Sequence, residues 1–272
     1  MTNTQQRILS ALAMVIMIFS FAFFGNEGVL ILLFIIGLLL VDEILFHLLK
    51  VKRNHLSYII SIISYSAGFY FHNYTVEGKM LVSPTLNTAI VLNIGLLVYL
   101  FFEKMDQKSF VGLLKKFSYL MGFFVFIPMM SLCYVINDPR WSVLMFLLLA
   151  FNISVDTGAW FFGKRFGKKK LWPTISPKKT INGAIGGSLL SVIVAAVISF
   201  FSLNILNISI ILSFLLLSCF AQLGDLIESK LKRQTGIKDS SNLIPGHGGI
   251  YDRVDSLIFV APFYVVVIKL FY

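Results

Sequence analysis

Four carboxylates form two pairs with the same spacing in the C-terminal part of the chain. Asp225 and Glu228 are three residues apart, as are Asp252 and Asp255. Because residues three apart lie on one side of a helix, each pair presents both carboxylates on one face. Carboxylate oxygens, with water and substrate phosphates, are the ligands that Mg²⁺ prefers, so the four are candidate metal ligands. For Asp252 and Asp255 the alternative is helix N-capping, which leaves Asp225 unexplained.

The segment between the two pairs is rich in groups that bind anions. It reads SKLKRQTGIKDSSNLIPGHGGIYDRVD from Ser229 to Asp255. Cationic side chains pair with phosphate oxygens, and glycines let backbone N–H groups approach an anion. The candidates here are the side chains of Lys232, Arg233 and Lys238 and the backbone of Gly246, Gly248 and Gly249. His247, between two of these glycines, is predicted to hydrogen-bond a phosphate or to transfer a proton.

A second polar segment runs from Asp156 to Gly187 and reads DTGAWFFGKRFGKKKLWPTISPKKTINGAIGG. Its seven basic residues, with Ser176, Thr180 and Asn182, suit a polyphosphate. Its paired glycines indicate close helix contacts instead. Neither a P-loop nor a dinucleotide-binding glycine motif is present in the sequence, so a soluble nucleotide-binding fold is not expected.

The elements that position these groups must be membrane helices. Of 272 residues, 57% are hydrophobic and only 13% are charged, with a mean hydropathy of +0.85. That is too little charge to cover a soluble domain of this size, and the same values exclude disorder, collagen and a disulfide scaffold. The net charge is +10, but the aromatic residues lie inside apolar runs, so no nucleic-acid partner is expected. The composition predicts an all-α, polytopic integral membrane protein.

Nine apolar runs are long enough, or nearly so, to cross a bilayer as helices. They lie near 8–24, 28–49, 56–71, 85–102, 117–136, 141–162, 183–202, 205–225 and 256–271. The first is interpreted as a retained span, and the third and fourth are diluted by Ser, Asn and Tyr. Residues 1–140 are predicted to form an N-terminal region of about five spans. Residues 141–272 are predicted to form a catalytic region with two polar loops.

The basic residues predict the orientation of these spans. With the N-terminus in the cytoplasm, 20 of the 23 Lys and Arg residues fall on the cytoplasmic side. The positive-inside rule favours this arrangement. The sequence thus predicts a multi-pass protein of the cell membrane, with its C-terminus outside and its active site facing the cytoplasm.

Three further acidic residues lie within apolar runs, namely Asp42, Glu43 and Asp156. Ionisable groups inside a membrane are costly and often functional, so a transporter is an alternative class of protein. Asp42 and Glu43 point about 100° apart on a helix. They are either functional or structural partners of a buried cation or polar group.

The segment from Ser229 to Asp255 resembles the signature of the phosphatidate cytidylyltransferases, or CDP-diacylglycerol synthases. The positions in register are Ser229, Lys232, Arg233, Lys238, Asp239, Ile244, Pro245, His247, Gly248, Gly249, Asp252, Arg253 and Asp255. AQLGDLIES before it and SPKKT at 176–180 resemble two further stretches of that family. The resemblance covers about residues 150–272.

This resemblance implies that CTP and phosphatidic acid react to give CDP-diacylglycerol and pyrophosphate, with Mg²⁺ as cofactor and Mn²⁺ as a substitute. It places Asp225 and Asp252 as metal ligands, with Glu228 and Asp255 as auxiliary ligands. The phosphate clamps would be Lys178, Lys179, Lys232 and Arg253. The other expected site residues are His247 in catalysis and Ser176, Thr180, Lys238, Asp239, Gly248 and Gly249 in substrate binding. Membrane lipid is an expected partner, a homodimer is left open, and a phosphotransferase acting on polyprenyl phosphate is the remaining alternative.

Overall fold

The structure, a computed structural model, describes residues 3–271 and consists almost entirely of helices. Its eleven α-helices are α1 Asn3–Phe23, α2 Gly25–Asp42, α3 Leu56–Tyr74, α4 Val76–Met80, α5 Val82–Phe102, α6 Ser109–Lys116, α7 Met121–Ile136, α8 Trp141–Phe166, α9 Ile181–Leu203, α10 Ile208–Gln234 and α11 Tyr251–Phe271. A π-helical turn, Glu43–Leu48, continues α2, and a 3₁₀ turn, Ser118–Leu120, precedes α7. The predicted all-α fold is confirmed.

Eight helices within residues 3–271 are long and apolar enough to cross a membrane. Of the nine predicted spans, the third, which forms α3, is not among these eight, because its polar residues lower its mean hydropathy. Nevertheless α3 runs antiparallel to α2 along its full length. Tyr58 Oη donates to Asp42 Oδ1 at one end (2.7 Å), and Tyr74 Oη donates to Glu27 Oε2 at the other (3.0 Å). The third predicted span therefore covers the same depth as the second.

The long polar connections meet at one end of the helix bundle. Arg7 Nε, near the start of α1, donates to the carbonyl of Gly246 at 3.0 Å. In the loop before α9, Lys179 Nζ lies 2.5 Å from Asp225 Oδ2, near the end of α10. This end of the bundle, called the polar face below, carries both sequence segments predicted to do chemistry.

A short hairpin lies within the second of these segments, where the sequence predicts only a loop. Strand β1, Lys170–Trp172, pairs antiparallel with β2, Ser176–Thr180. Its partners are Lys170 with Thr180 and Trp172 with Ser176. The hairpin fixes where the SPKKT lysines stand relative to α8 and α9.

Helices α8 and α9, on either side of the hairpin, pack with their backbones close together. A Cβ atom added at Gly187 would lie 2.6 Å from the carbonyl oxygen of Val155, and one added at Gly183 would lie 2.7 Å from that of Ala159. These glycines therefore serve the helix contact that their spacing indicated.

Two buried side chains tie α10 to the end of α5. Lys230, only 1% exposed, donates to the carbonyls of Tyr99 (2.6 Å), Leu100 (3.1 Å) and Glu103. Gln234 accepts from Tyr99 Oη at 2.5 Å. One buried apolar core also contains residues from before and after position 140. The division of the chain at residue 140 stays a prediction.

Candidate active site

Three of the four predicted carboxylate ligands lie together where α10 meets α11. One carboxylate oxygen each from Asp225, Glu228 and Asp255 lies within 4.8 Å of the others. Glu228 is only 1% exposed, and its Oε1 has no hydrogen-bond partner among the described residues. A buried carboxylate oxygen without a partner is costly, and a bound cation would satisfy it. The donor set and its spacing therefore fit a hard divalent metal ion.

Asp252, the fourth carboxylate, holds the loop that precedes α11. Its Oδ2 accepts hydrogen bonds from the backbone N–H of Gly249 (2.8 Å) and from the N–H and hydroxyl of Ser240 (2.8 and 3.0 Å). The N-capping alternative thus describes Asp252. Asp255 instead belongs to the group of three carboxylates with Asp225 and Glu228, called the acidic cluster below. The assignment of Asp252 as a metal ligand stays a prediction.

Lys232 joins Asp252 to the cluster. Its Nζ lies 2.6 Å from Glu228 Oε2 and also contacts Asp252 Oδ1. Its side chain is only 9% exposed, so both ion pairs are shielded from water. Because its charge is shared between two carboxylates, Lys232 neutralises the acidic cluster in this structure and does not extend into open space.

A polar cavity of about 510 Å³ opens beside the cluster, with Asp225 in its wall. The cationic side chains that line it are those of Lys164, Lys170, Lys178 and Lys179. Lys179 pairs with Asp225, and Lys178 is exposed to the cavity. Asp156, one of the three acidic residues within apolar runs, also lines this cavity. The site thus places four cations around a space of substrate size, next to three carboxylates.

Two residues of the SPKKT stretch have structural contacts. Thr180 is buried, and its Oγ1 accepts from the N–H of Gly183 at 3.1 Å, which caps α9. Ser176 pairs with Trp172 at the beginning of β2 and is not among the residues that line the polar cavity. Both side chains therefore shape the hairpin that carries Lys178 and Lys179, and substrate binding by Ser176 and Thr180 stays a prediction.

The glycines of the PGHGG sequence fold the loop tightly against Asp252. Gly248 has φ +87°, and a Cβ there would lie 2.5 Å from Asp252 Oδ2. A Cβ at Gly249 would lie 2.0 Å from Ser240 Oγ. The N–H of Gly248 donates to the carbonyl of Ile244 (3.1 Å) and that of Gly249 to Asp252. In this structure both N–H groups are used within the loop, so their role in substrate binding stays a prediction.

The remaining predicted residues lie on the outside of the same loop. Lys238, Asp239 and Arg253 are exposed, and His247 is half-buried. Nδ1 of His247 lies 2.7 Å from Ser10 Oγ. Partial burial, with the nearby positive charges of Arg253 and Arg7, lowers the pKa of His247 below its ordinary value. The catalytic role of His247 stays a prediction.

The sequence left open the role of Glu43, and the structure makes it central to this loop. Glu43 is 2% exposed and accepts four hydrogen bonds. The donors are Ser240 Oγ (2.9 Å), Ser241 Oγ (2.6 Å) and the N–H groups of Ile250 and Tyr251 (both 2.8 Å). Glu43 thus neutralises the N-terminal end of α11 and holds the polar loop from the other half of the chain. Its position in an apolar run was the only signal in the sequence.

Asp42, the last residue of α2, has a separate partner. Its two carboxylate oxygens accept from Nε and Nη2 of Arg53, both at 2.8 Å. The two adjacent acids are therefore structural partners, Asp42 of a cation and Glu43 of polar groups.

Comparison with known proteins agrees with this site. The model of the cytidylyltransferase family matches residues 5–271. A phosphatidate cytidylyltransferase of Staphylococcus haemolyticus (strain JCSC1435) is 35% identical over 271 residues, covering 94% of this chain and 95% of that protein. Phosphatidate cytidylyltransferases of Staphylococcus aureus (strain COL) and Bacillus subtilis (strain 168) are 49% identical over 143 residues and 50% identical over 119 residues. These two matches cover 49% and 43% of this chain, and 55% and 44% of the respective relatives.

The chain belongs to the cytidylyltransferase family. It is a nucleotidyltransferase built as a multi-pass membrane protein, as the resemblance implied. The family match begins at residue 5, so the resemblance extends well beyond residues 150–272. The first half was missed because apolar spans carry few residue types that distinguish one membrane family from another.

Proposed function

We propose that the protein transfers the cytidylyl group of CTP to phosphatidic acid and releases CDP-diacylglycerol and pyrophosphate. The observation that carries this proposal is the lysine-lined polar cavity, which opens onto a buried acidic cluster at the polar face. Cations on the cavity wall suit a triphosphate, and the position at the end of membrane helices suits a lipid head group. The names of the relatives support the choice of substrates.

We further propose that Asp225, Glu228 and Asp255 hold Mg²⁺. The unpartnered Glu228 Oε1 and the convergence of the three carboxylates support this assignment. These three carboxylates would hold the ion, which when bound would supply positive charge to lower the repulsion between two phosphate groups and to stabilise the leaving pyrophosphate.

The side chains of the chain itself bind and orient the two anions. Lys178 and Lys179 neutralise the triphosphate from the cavity wall. Arg253 is exposed in the first turn of α11, at the polar face, where its charge is open to a phosphate group. The phosphate of phosphatidic acid is a monoester with a second pKa near 6, so its attacking oxygen needs little help from a general base.

Transfer of label from CTP to lipid tests the proposed reaction. Membranes containing the protein should convert CTP labelled in the cytosine ring into a chloroform-soluble product, and only when phosphatidic acid is added. Pyrophosphate should appear in equal amount. Label that stays in water in the presence of phosphatidic acid, or that enters lipid only with polyprenyl phosphate, would contradict the proposal.

We propose that the polar face lies in the cytoplasm of the cell, because the basic residues are concentrated there. Single cysteines test this orientation after Cys133 and Cys219 are replaced by alanine. Lys168→Cys and Lys238→Cys, both at exposed positions of the polar face, should resist a membrane-impermeant thiol reagent in intact cells. Lys79→Cys, exposed at the opposite end, is the matched control and should react. The reverse pattern would invert the assigned orientation.

A further inference from the structure

An apolar groove of about 630 Å³ separates α1 from α2 and ends at the polar loop. The α1 side chains that line it include Leu9, Ala13, Met14, Met17 and Phe21. Leu9, Ala13, Met17 and Phe21 are four residues apart, and Met14 precedes Met17 by three, so together they form one continuous stripe along the helix. Pro245 and Ile250, on either side of the PGHGG glycines, close the end of the groove at the polar face. This is called the α1–α2 groove below.

The length of the groove matches one leaflet of a bilayer. From Ser10 at its polar end to Phe21 there are eleven helical steps, or about 16 Å. Half of the hydrocarbon core of a typical bilayer is about 15 Å. The α1–α2 groove therefore covers the depth that a fatty acyl chain occupies when its head group lies at the polar face.

The charges at the polar end of the groove complement a phosphate group. Arg7 lies there and donates a hydrogen bond from Nε to the Gly246 carbonyl, and Ser10 Oγ contacts Nδ1 of His247. Arg253, six residues after His247, is exposed in the first turn of α11. No ion pair among residues 3–271 involves Arg7 or Arg253, so both charges are available to an anion. A phosphate monoester carries close to two negative charges at neutral pH.

We infer that the α1–α2 groove binds one acyl chain of the phosphatidic acid substrate, with the lipid phosphate beside Arg7 and Arg253. This inference rests on the proposed function. It gives α1, whose span has no buried residues, a role in selecting the lipid substrate.

Tryptophan substitutions at two depths test the inference on the purified full-length enzyme. Met17 lies eight helical steps, or about 12 Å, deeper than Leu9. Met17→Trp should raise the KM for dipalmitoyl phosphatidic acid by about fivefold or more, because a filled groove excludes several packed methylene groups. Its KM for dihexanoyl phosphatidic acid and for CTP should match the unaltered enzyme. Leu9→Trp, near the mouth, should raise the KM for both lipids.

Ile16→Trp is the matched control, since Ile16 neighbours Met17 and does not line the groove. It should leave both KM values unchanged. The inference is overturned if Met17→Trp leaves the ratio of the two lipid KM values within about twofold of the unaltered enzyme. Failure of the unaltered enzyme to use either lipid would instead contradict the proposed function.

Photocrosslinking of the unaltered enzyme gives a second test that does not depend on a variant folding. Phosphatidic acid with a diazirine at the end of one acyl chain should label α1 peptides near Phe21. Excess unlabelled phosphatidic acid should prevent the labelling, and phosphatidylcholine should not. Equal competition by both lipids would mean that the groove holds bulk membrane lipid only, and would overturn the inference.

Discussion

Asp225→Asn and Asp255→Asn are each expected to abolish turnover while the protein still inserts in the membrane. Each change removes one carboxylate charge from the three that face one another, and asparagine preserves the shape. The double variant should be hardly less active than either single one, because ligands of one ion act as a unit. Raised Mg²⁺, or Mn²⁺, should partly restore a single variant. The measurement is initial rate against metal concentration.

Asp138→Asn is the control for these variants. Asp138 pairs with Arg140 (3.3 Å) in the turn before α8, at the opposite end of the bundle, and its loss should not change the rate. Substantial activity with an unchanged metal requirement in both Asp225→Asn and Asp255→Asn would show that the cluster binds no catalytic metal ion.

Asp252→Asn separates the two roles assigned to Asp252. If Asp252 is a ligand, as the sequence predicts, this variant should require more Mg²⁺. If it only holds the loop through Ser240 and Gly249, the KM for substrate should rise with no change in the Mg²⁺ requirement.

Glu43→Ala is expected to destabilise the protein and to lower activity strongly. The change leaves the Ser241 hydroxyl and the N–H groups of Ile250 and Tyr251 without this acceptor, whereas the Ser240 hydroxyl keeps Asp252 Oδ2. Hydrogen bonds to a charged group contribute about 1.5–3 kcal/mol each, so the total loss should exceed about 3 kcal/mol. Thermal unfolding in detergent should then occur about 10 °C lower. Glu43→Gln, which keeps an acceptor oxygen, should recover part of the loss.

Asp42→Ala provides a matched control at the next residue. Asp42 pairs with Arg53, whose side chain is 57% exposed, and also accepts from Tyr58 Oη. A surface ion pair contributes about 0–1 kcal/mol and a hydrogen bond about 1 kcal/mol. Asp42→Ala should therefore lower the unfolding temperature by no more than about 5 °C and leave activity near normal. Equal effects of the two alanine variants would contradict the positioning role of Glu43.

The helices and the polar face follow from the sequence because long apolar runs and basic residues are local features. The same is true of Asp225 and Glu228, whose spacing of three residues inside a helix does place both in the cluster. Asp252 and Asp255 have the same spacing, but Asp252 turns back to the loop because α11 begins one residue before it. The conformation of that loop depends on Ser240 and Gly249, which spacing alone does not reveal.

The partners of Glu43 could not be predicted, since they lie about 200 residues further along the chain. Nor could the α1–α2 groove be predicted, because its lining residues are ordinary apolar residues of two spans. Such features arise only when separate helices meet, whereas metal-ligand residue types are recognisable in the sequence itself.

The contacts from Lys230 to the end of α5 and from Glu43 to the loop before α11 both link the first half of the chain to the second. Chimeric enzymes that exchange halves between relatives at residue 140 would separate each of these pairs. The acceptors of Lys230 are backbone carbonyls, which any residue supplies, so this contact requires only a lysine at position 230 of the second half. The other contact requires a glutamate at position 43 in one half and hydroxyls at 240 and 241 in the other. Selection of such chimeras from a library would show which of these contacts the two parents have in common.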